Sequence, residues 1–525
     1  MPPESLPAAS VPAAADLSLP AAILRLHPAD EVGVALRALA PGEALDPVPG
    51  RAGEPIPFGH KVALVPLAAG AVVHRLGQPI GVATRDIPAG GHVHVHNLGF
   101  ETSMATRTIG TRLSNAPRRP QLEVPTFQGF RRPDGRVGTR NYVGILTSVN
   151  CSALVARLIA DHFRDPARLA PYPGVDGVVA LTHKSGCSIA EGGRSMGMLR
   201  RALGGYARHP NFAGVLLVGL GCEDNQIEAL MRDEALVAGP MLRTLVMQDE
   251  GGTRASVARG MGMVEEMLVA AATARREPIP ASELVVGLQC GGSDSFSGIS
   301  ANPALGAAVD RLVACGGTAI LSETPEIYGA ENLLLERAAD RATGERLIGL
   351  LDWWEEHTRD EPQGLDNNPS PGNKAGGLTT ILEKSLGAVA KGGTTNLVEV
   401  VGYAAPVTRR GLVFMDSPGF DPISATGQVA GGANLVAFTT GRGSCFGCRP
   451  APSIKLATNT AMYRRMADDM DINCGAILDG TASIDEMGEA IFALMLATAS
   501  GAATRSEELG YGEDEFAPWH VNAWL

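Results

Sequence analysis

The sequence predicts an α/β protein: a small N-terminal β-rich domain followed by an α/β region with mainly parallel sheets. Three observations predict it. Short alternating runs (AILRLH, VGVALRAL, HKVALVPL, VVHRLGQPIGVAT, HVHVHN) fill residues 21–98 with Gly and Pro between them, the pattern of short strands joined by tight turns. From Gly129 onward the rhythm changes to strand-length apolar runs separated by helix-like pieces, as in βαβ units. Sixty-four glycines against 5 % aromatic residues suit many strand-to-helix turns and small-residue packing.

Taken in order, residues 1–20 are rich in Pro, Ala and Ser and carry neither a basic start nor an apolar core. They read as a disordered tail, not a signal peptide. Residues 21–98 form the β-rich domain, and residues 99–127, with Asn115-Ala-Pro-Arg-Arg-Pro and Pro125, read as a linker. A first α/β domain spans 128–277, with strands expected in YVGILTSV (142–149), DGVVALT (176–182) and AGVLLVGL (213–220). A second spans 278–525, with strands in ELVVGLQ (283–289), TAILSE (318–323), GLVFMDSP (411–418) and NLVAFTT (434–440). Helices are expected in SALVARLIADHF, PALGAAVDRLVAC and DEMGEAIFALMLATAS, and the break between the α/β domains falls at Arg275–Ala281. A chain of 525 residues exceeds one ordinary core, so several domains are expected.

The net charge of −12 is spread along the chain, which disfavours nucleic acid and anionic membranes as partners. An anionic small molecule is still compatible, because a site needs only a few local cations. No stretch reaches the length of a membrane span, and a cytoplasmic location is expected. In that reducing compartment the eight cysteines are expected to serve packing, metal binding or catalysis and not disulfides.

Four expected strands run directly into a cysteine: Asn150-Cys151, His183-Lys184-Ser185-Gly186-Cys187, Gly221-Cys222 and Cys290-Gly-Gly-Ser293-Asp294. Open parallel sheets bind ligands at the carboxyl ends of their strands, so the four thiols are expected to converge on one edge. Thiols with a nearby His suit iron, zinc or an iron–sulfur cluster, and their spacing excludes a compact zinc knuckle. A second cluster is His27, His60 and the run His92-Val-His94-Val-His96-Asn97. Residues two apart on a strand share a face, so the three histidines of the run point the same way, as metal ligands, an acid–base cluster or a solvated face. Third come polar loops: Ser293 and Asp294, Asn302, Glu323, then Asn368 with Ser370-Pro-Gly-Asn373-Lys374, and Thr440-Gly-Arg442-Gly. Lys374 and the Arg442 fork suit a carboxylate. Nothing fits a nucleotide-binding fingerprint, so no nucleotide cofactor is expected.

GHKVALVPLAAG with HVHVHN, GFRRPDGRVGTRNYVGI, VGLGCEDNQ, ELVVGLQCGGSDSFSGISANP, NPSPGNKAGG and TTGRGSC resemble, in order, the altronate/galactarate dehydratase family with its SAF-type N-terminal domain. The resemblance implies an iron-stimulated hydro-lyase that converts a six-carbon sugar acid to a 2-keto-3-deoxy acid, working as a homo-oligomer such as a dimer. It places the metal, Fe(2+) as a single ion or an iron–sulfur cluster, near Cys151, Cys187, Cys222 and Cys290. It implies catalytic roles for His27 and His60, with His183 and Lys374 as acid–base candidates. Substrate contacts are then expected from His94, His96, Ser293, Asp294, Asn302, Glu323, Asn368, Asn373 and Arg442. The histidine run and SETPEIYGAE resemble the altronate branch. Galactarate or another sugar acid, the sulfolactate sulfo-lyases, and a non-catalytic sugar-acid sensor are the alternatives. One departure stands out: where the family has Thr-Pro-Tyr-Gly after Gly-Arg-Gly, this chain has Ser444-Cys445-Phe446-Gly447-Cys448.

Overall fold

The computed structural model describes residues 21–101, 107–114 and 119–521; the N-terminal tail therefore lies outside the described residues. Residues 21–101 fold as two small sheets, one of Ile23–Leu24, Val32–Ala35, Lys61–Ala63 and His92–Val93, the other of Val72–Arg75, Gln78–Ala83 and Leu98–Gly99. The strands are short because turns interrupt them every few residues, and Val62, Val73, Ile80 and Val93 fill the interior.

The middle domain carries a four-stranded parallel sheet in the order Gly177–Leu181, Tyr142–Thr147, Phe212–Gly219, Leu242–Val246. Helices Ala153–His162 and Thr253–Ala271 cover one face, while Arg194–Ala207 lies between this sheet and the next domain. The stretch expected to divide the α/β domains contains a strand, Glu277–Pro280, antiparallel to Thr126–Arg131. Entry to and exit from the middle domain are thus zipped side by side. Pro278 and Pro280 are tolerated because this strand lies at the edge of its sheet.

The last domain is a seven-stranded parallel sheet in the order Leu397–Val401, Leu412–Met415, Thr318–Ser322, Val285–Cys290, Leu435–Thr440, Ser453–Ala457, Ile472–Asn473. Its central strands are buried along their whole length, as helices on both faces require. Helix Ala301–Ala314 packs against Ile484–Ala499. The expected linker is strapped to this domain: Arg107 pairs with Glu331, Asp352 and Glu355, and the Gly110 N–H donates to the Leu335 carbonyl. Among the described residues no helix is long and apolar enough to cross a membrane.

Candidate active site

Strand Val285–Cys290 opens the last sheet, and the chain then builds to one side through Thr318–Ser322 and later to the other through Leu435–Thr440. Between the carboxyl ends of Val285–Cys290 and Leu435–Thr440 the order reverses, which is where such sheets open a ligand crevice. Two loops border it, Gly291–Asp294 and Gly441–Gly443. They are tied by the Arg442 N–H, which donates to the Gly292 carbonyl at 2.8 Å. The Arg442 side chain is exposed there.

Several expected substrate contacts instead hold these loops in place. The Asp294 carboxylate is buried and accepts from the Phe296 and Ser297 N–H groups, the Ser297 and Thr458 hydroxyls and the Asn459 amide. Asn373 caps its own short helix through Ser370 and donates to the Ser293 carbonyl at 2.8 Å. Asn302 donates to the Gly387 carbonyl and accepts from the Thr439 hydroxyl at 2.6 Å. With these carboxylate and amide groups consumed, the exposed Arg442 side chain stands at the crevice rim, and Lys374, on the short helix that follows Ser370, is half-buried.

The N-terminal domain closes over this edge. Buried Lys61 donates to the Gly377 carbonyl at 2.7 Å and to both oxygens of Glu383 at 3.0 and 2.8 Å. Arg75 joins Glu383 and the Ser295 carbonyl. Gly377 sits at φ +96° against the Gly59 carbonyl; a side chain there would separate the domains. Next to Lys61, His60 reaches the Ala375 carbonyl at 3.3 Å through Nε2 and His92 Nε2 at 2.9 Å through Nδ1.

The histidine run does not continue as the strand that was expected. The strand ends at Val93, and the buried Asn97 side chain closes a turn, accepting from the His94 N–H and donating to the His92 carbonyl. The turn still gathers the rings: His92 and His94 stack with centroids 5.4 Å apart, His94 lies 4.6 Å from His60, and His96 lies 5.3 Å from His92. Ligand nitrogens of His60, His92 and His94 all lie within 4.8 Å of one another. Burial, with the charges of neighbouring His60 and His96, pushes His92 down to about 4. Burial, Lys61 and the other two histidines push His94 to about 3. Burial, Lys61 and Arg442 likewise lower His60. The three imidazoles are therefore neutral at pH 7, and buried His94 Nδ1 has no hydrogen-bond partner. Neutral imidazoles with an orphaned nitrogen are a donor set that fits a metal ion. His27 is exposed, accepts from the Ala29 N–H and packs on Gly77; none of these contacts is with the trio.

The four strand-end thiols do not share one edge, because their strands belong to two sheets. Cys151, Cys187 and Cys222 follow three adjacent strands of the middle sheet, again around its order reversal. Cys151 and Cys222 are exposed, and the Cys187 thiol is raised by partial burial and by its two thiol neighbours. His183 is buried, its Nε2 2.8 Å from the Thr147 carbonyl, while its Nδ1 accepts from the Ser185 N–H. Burial holds it down to about 4, and both ring nitrogens are spent on shaping the loop that carries Cys187.

Cys290 lies in the last sheet, at the floor of the crevice, in a buried polar nest that sequence reading largely missed. Lys391 donates to its Sγ at 3.0 Å, and Glu326 Oε2 is 3.8 Å away. Lys384 bridges Glu326 at 2.6 Å and the Asn368 amide oxygen at 2.7 Å. Burial pushes the Cys290 thiol up to about 11 and Glu323 well above the carboxylate range. Lys384 and Lys391, seven apart on helix Ile381–Ala390 and its C-cap, share a helix face; that spacing was the available signal. Of the departing loop, Cys445 is exposed and Cys448 packs under the Tyr206 hydroxyl at 3.8 Å.

The fold and site define a three-part α/β enzyme scaffold with a histidine-bearing lid over a cationic crevice. The chain belongs to the altronate/galactarate dehydratase family. Residues 21–101 match the altronate/galactarate dehydratase SAF domain, 129–272 the D-galactarate dehydratase/altronate hydrolase second domain, and 281–523 the D-galactarate/altronate dehydratase C-terminal domain. An altronate dehydratase of Bacillus subtilis is 35 % identical over 494 residues, covering 93 % of this chain and 97 % of its own. A galactarate dehydratase (L-threo-forming) of Escherichia coli is 40 % identical over 454 residues, 85 % of this chain and 87 % of its own. The (2R)-sulfolactate sulfo-lyase subunit beta of Chromohalobacter salexigens is 32 % identical over 398 residues, 75 % of this chain and 97 % of its own.

Proposed function

We propose that this protein is a cytoplasmic, metal-dependent sugar-acid dehydratase that takes altronate, or a closely related six-carbon acid, to the 2-keto-3-deoxy acid. The observation that carries the reading is the trio His60, His92 and His94 set by the N-terminal domain over the crevice that holds Arg442. Eight free cysteines suit a reducing compartment.

Elimination requires removal of the weakly acidic C2 proton beside a carboxylate and departure of the C3 hydroxyl. Arg442 binds the carboxylate through its planar fork. His96, exposed on the turn beside His92, accepts the C2 proton, and Lys374 protonates the departing hydroxyl. Asp294, through Asn459 and the Gly441 carbonyl, and Asn373, through the Ser293 carbonyl, hold the loops that carry these cations in place. The trio is the set that would hold Fe(2+), which when bound supplies Lewis-acid stabilisation of the enediolate charge.

Two observations favour different sugar acids. The histidine run resembles the altronate branch, whereas the identity is higher, over a shorter span, with the galactarate dehydratase. A second metal reading also has an observation behind it: three thiols at adjacent strand ends suit an iron–sulfur cluster. The test is anaerobic purification, iron and sulfide analysis, and assay of altronate, galactarate and sulfolactate. Keto acid from altronate or galactarate with iron and no inorganic sulfide supports the reading. Visible cluster absorption moves the iron to Cys151, Cys187 and Cys222. Sulfite release from sulfolactate alone, or no product with metal bound, overturns dehydration.

A further inference from the structure

Beneath the crevice floor, Cys290 Sγ and carboxylate oxygens of Glu323 and Glu326 all lie within 4.8 Å of one another. From these residues we infer a second cation site, buried in the last domain and separate from the histidine trio: Cys290, Glu323 and Glu326 bind one divalent ion of borderline softness, Zn2+ or Fe2+ in type.

Glu323 is the observation that points to a ligand. It is 1 % exposed, yet both of its carboxylate oxygens accept no hydrogen bond. A buried acceptor left open in this way costs about 1–3 kcal/mol, and more when charged, so a native structure is expected to fill it. Its backbone is also held left-handed, at φ +74°, unusual for a residue with a Cβ. The Glu323 N–H donates to the Ser417 hydroxyl at 3.1 Å, which holds that backbone in place. Strain of this kind persists where surrounding structure imposes it, commonly at ligand sites.

The donor chemistry agrees with the geometry. One sulfur and two carboxylate oxygens form a mixed set that suits zinc or ferrous iron better than the all-oxygen preference of magnesium or calcium. Lys391 Nζ, 3.0 Å from Cys290 Sγ and 3.9 Å from Glu323 Oε2, holds the cationic place at present. On loading, the Cys290 thiol and the Glu323 carboxyl would each give up a proton to water as they bind the ion, and the Lys391 ammonium would stay beside Glu323. A small enclosed gap lined by Ser293, Asn302 and Lys384 borders Cys290.

The test uses the full chain, stripped of metal under anaerobic conditions and titrated with Co2+. Thiolate ligation is expected to give a near-ultraviolet sulfur-to-cobalt band that is lost in Cys290→Ser. The band should survive in the triple variant C151S/C187S/C222S and in His94→Ala. Glu323→Gln, which keeps the thiol, is expected to weaken the Co2+ affinity behind that band at least tenfold. Circular dichroism melts confirm that each variant is folded. A band that persists in Cys290→Ser, a band abolished in the triple variant, unchanged affinity in Glu323→Gln, or no band at all overturns the site. None of these outcomes depends on turnover, so failure here is distinguishable from failure of the dehydratase reading.

Discussion

Replacing Glu383 by Gln should release the N-terminal lid from the catalytic floor. Glu383 accepts from Lys61, Arg75 and the Thr379 N–H and hydroxyl, and its side chain is 1 % exposed. Burial alone would raise its carboxyl, but the charges of Lys61 and Arg75 and the hydrogen bonds outweigh it and hold the group at about 2. Against an ordinary carboxylate at 4.5, that depression corresponds to roughly 3 kcal/mol at neutral pH. Lys61 offsets part of this, since burial lowers its ammonium. Breaking one partner of a buried ion set typically costs about 3–5 kcal/mol, so the two routes agree. The sign follows from the depressed value: the stabilisation is complete above 4.5 and drains away as pH falls from there toward 2. Urea unfolding of wild type and Glu383→Gln should therefore differ by roughly 3 kcal/mol at pH 7 and by less than half of that near pH 3. Activity should fall with lid release, because His60 adjoins Lys61. Equal stability at pH 7, or a difference that does not shrink in acid, would refute the ion-lock reasoning.

Two further outcomes follow from the site. Arg442→Ala should raise KM for the sugar acid about 10- to 100-fold through loss of a charge-assisted fork, with Arg442→Lys recovering only part; steady-state kinetics on folded protein decide it, and an unchanged KM moves carboxylate binding elsewhere. His183→Ala should cost about 1–3 kcal/mol of stability, since both ring nitrogens are engaged, while turnover per folded molecule stays within about twofold. Because burial holds His183 at about 4, its contribution to stability declines as pH falls from about 6.5 toward 4. A hundredfold loss of kcat at unchanged stability would make His183 catalytic.

Sequence patterns made the central parallel strands legible because both of their faces are buried, so Tyr142–Thr147 and Leu435–Thr440 read as unbroken apolar runs. Ser453–Ala457 escaped notice because it contains Lys455, a charge that reads as surface. In the fold that ammonium is satisfied inside by the Phe446 carbonyl at 3.2 Å and by Ser506. Lys61, Glu383 and Lys391 were missed because the groups that satisfy them come from distant parts of the chain, 322 residues apart for Lys61 and Glu383 and 101 for Lys391 and Cys290. The strand-end cysteines were visible one by one, but which sheet each strand joined depends on long-range pairing, and that separated Cys290 from the other three. The histidines were visible as a run. Their gathering depends on a turn closed by Asn97, which period-two reasoning treats as one more strand position.

The most direct test of the account is proton NMR of turnover in D2O by the anaerobic, Fe(2+)-loaded enzyme. Loss of the C2 proton and the C3 hydroxyl gives an enol whose tautomerisation takes one hydrogen from solvent at C3. The account predicts a 2-keto-3-deoxy acid from altronate or galactarate with one deuterium at C3, loss of that product in His94→Ala, and its slowed formation at subsaturating substrate in Arg442→Ala. A keto acid with no solvent hydrogen at C3, or full turnover in both variants, would contradict it.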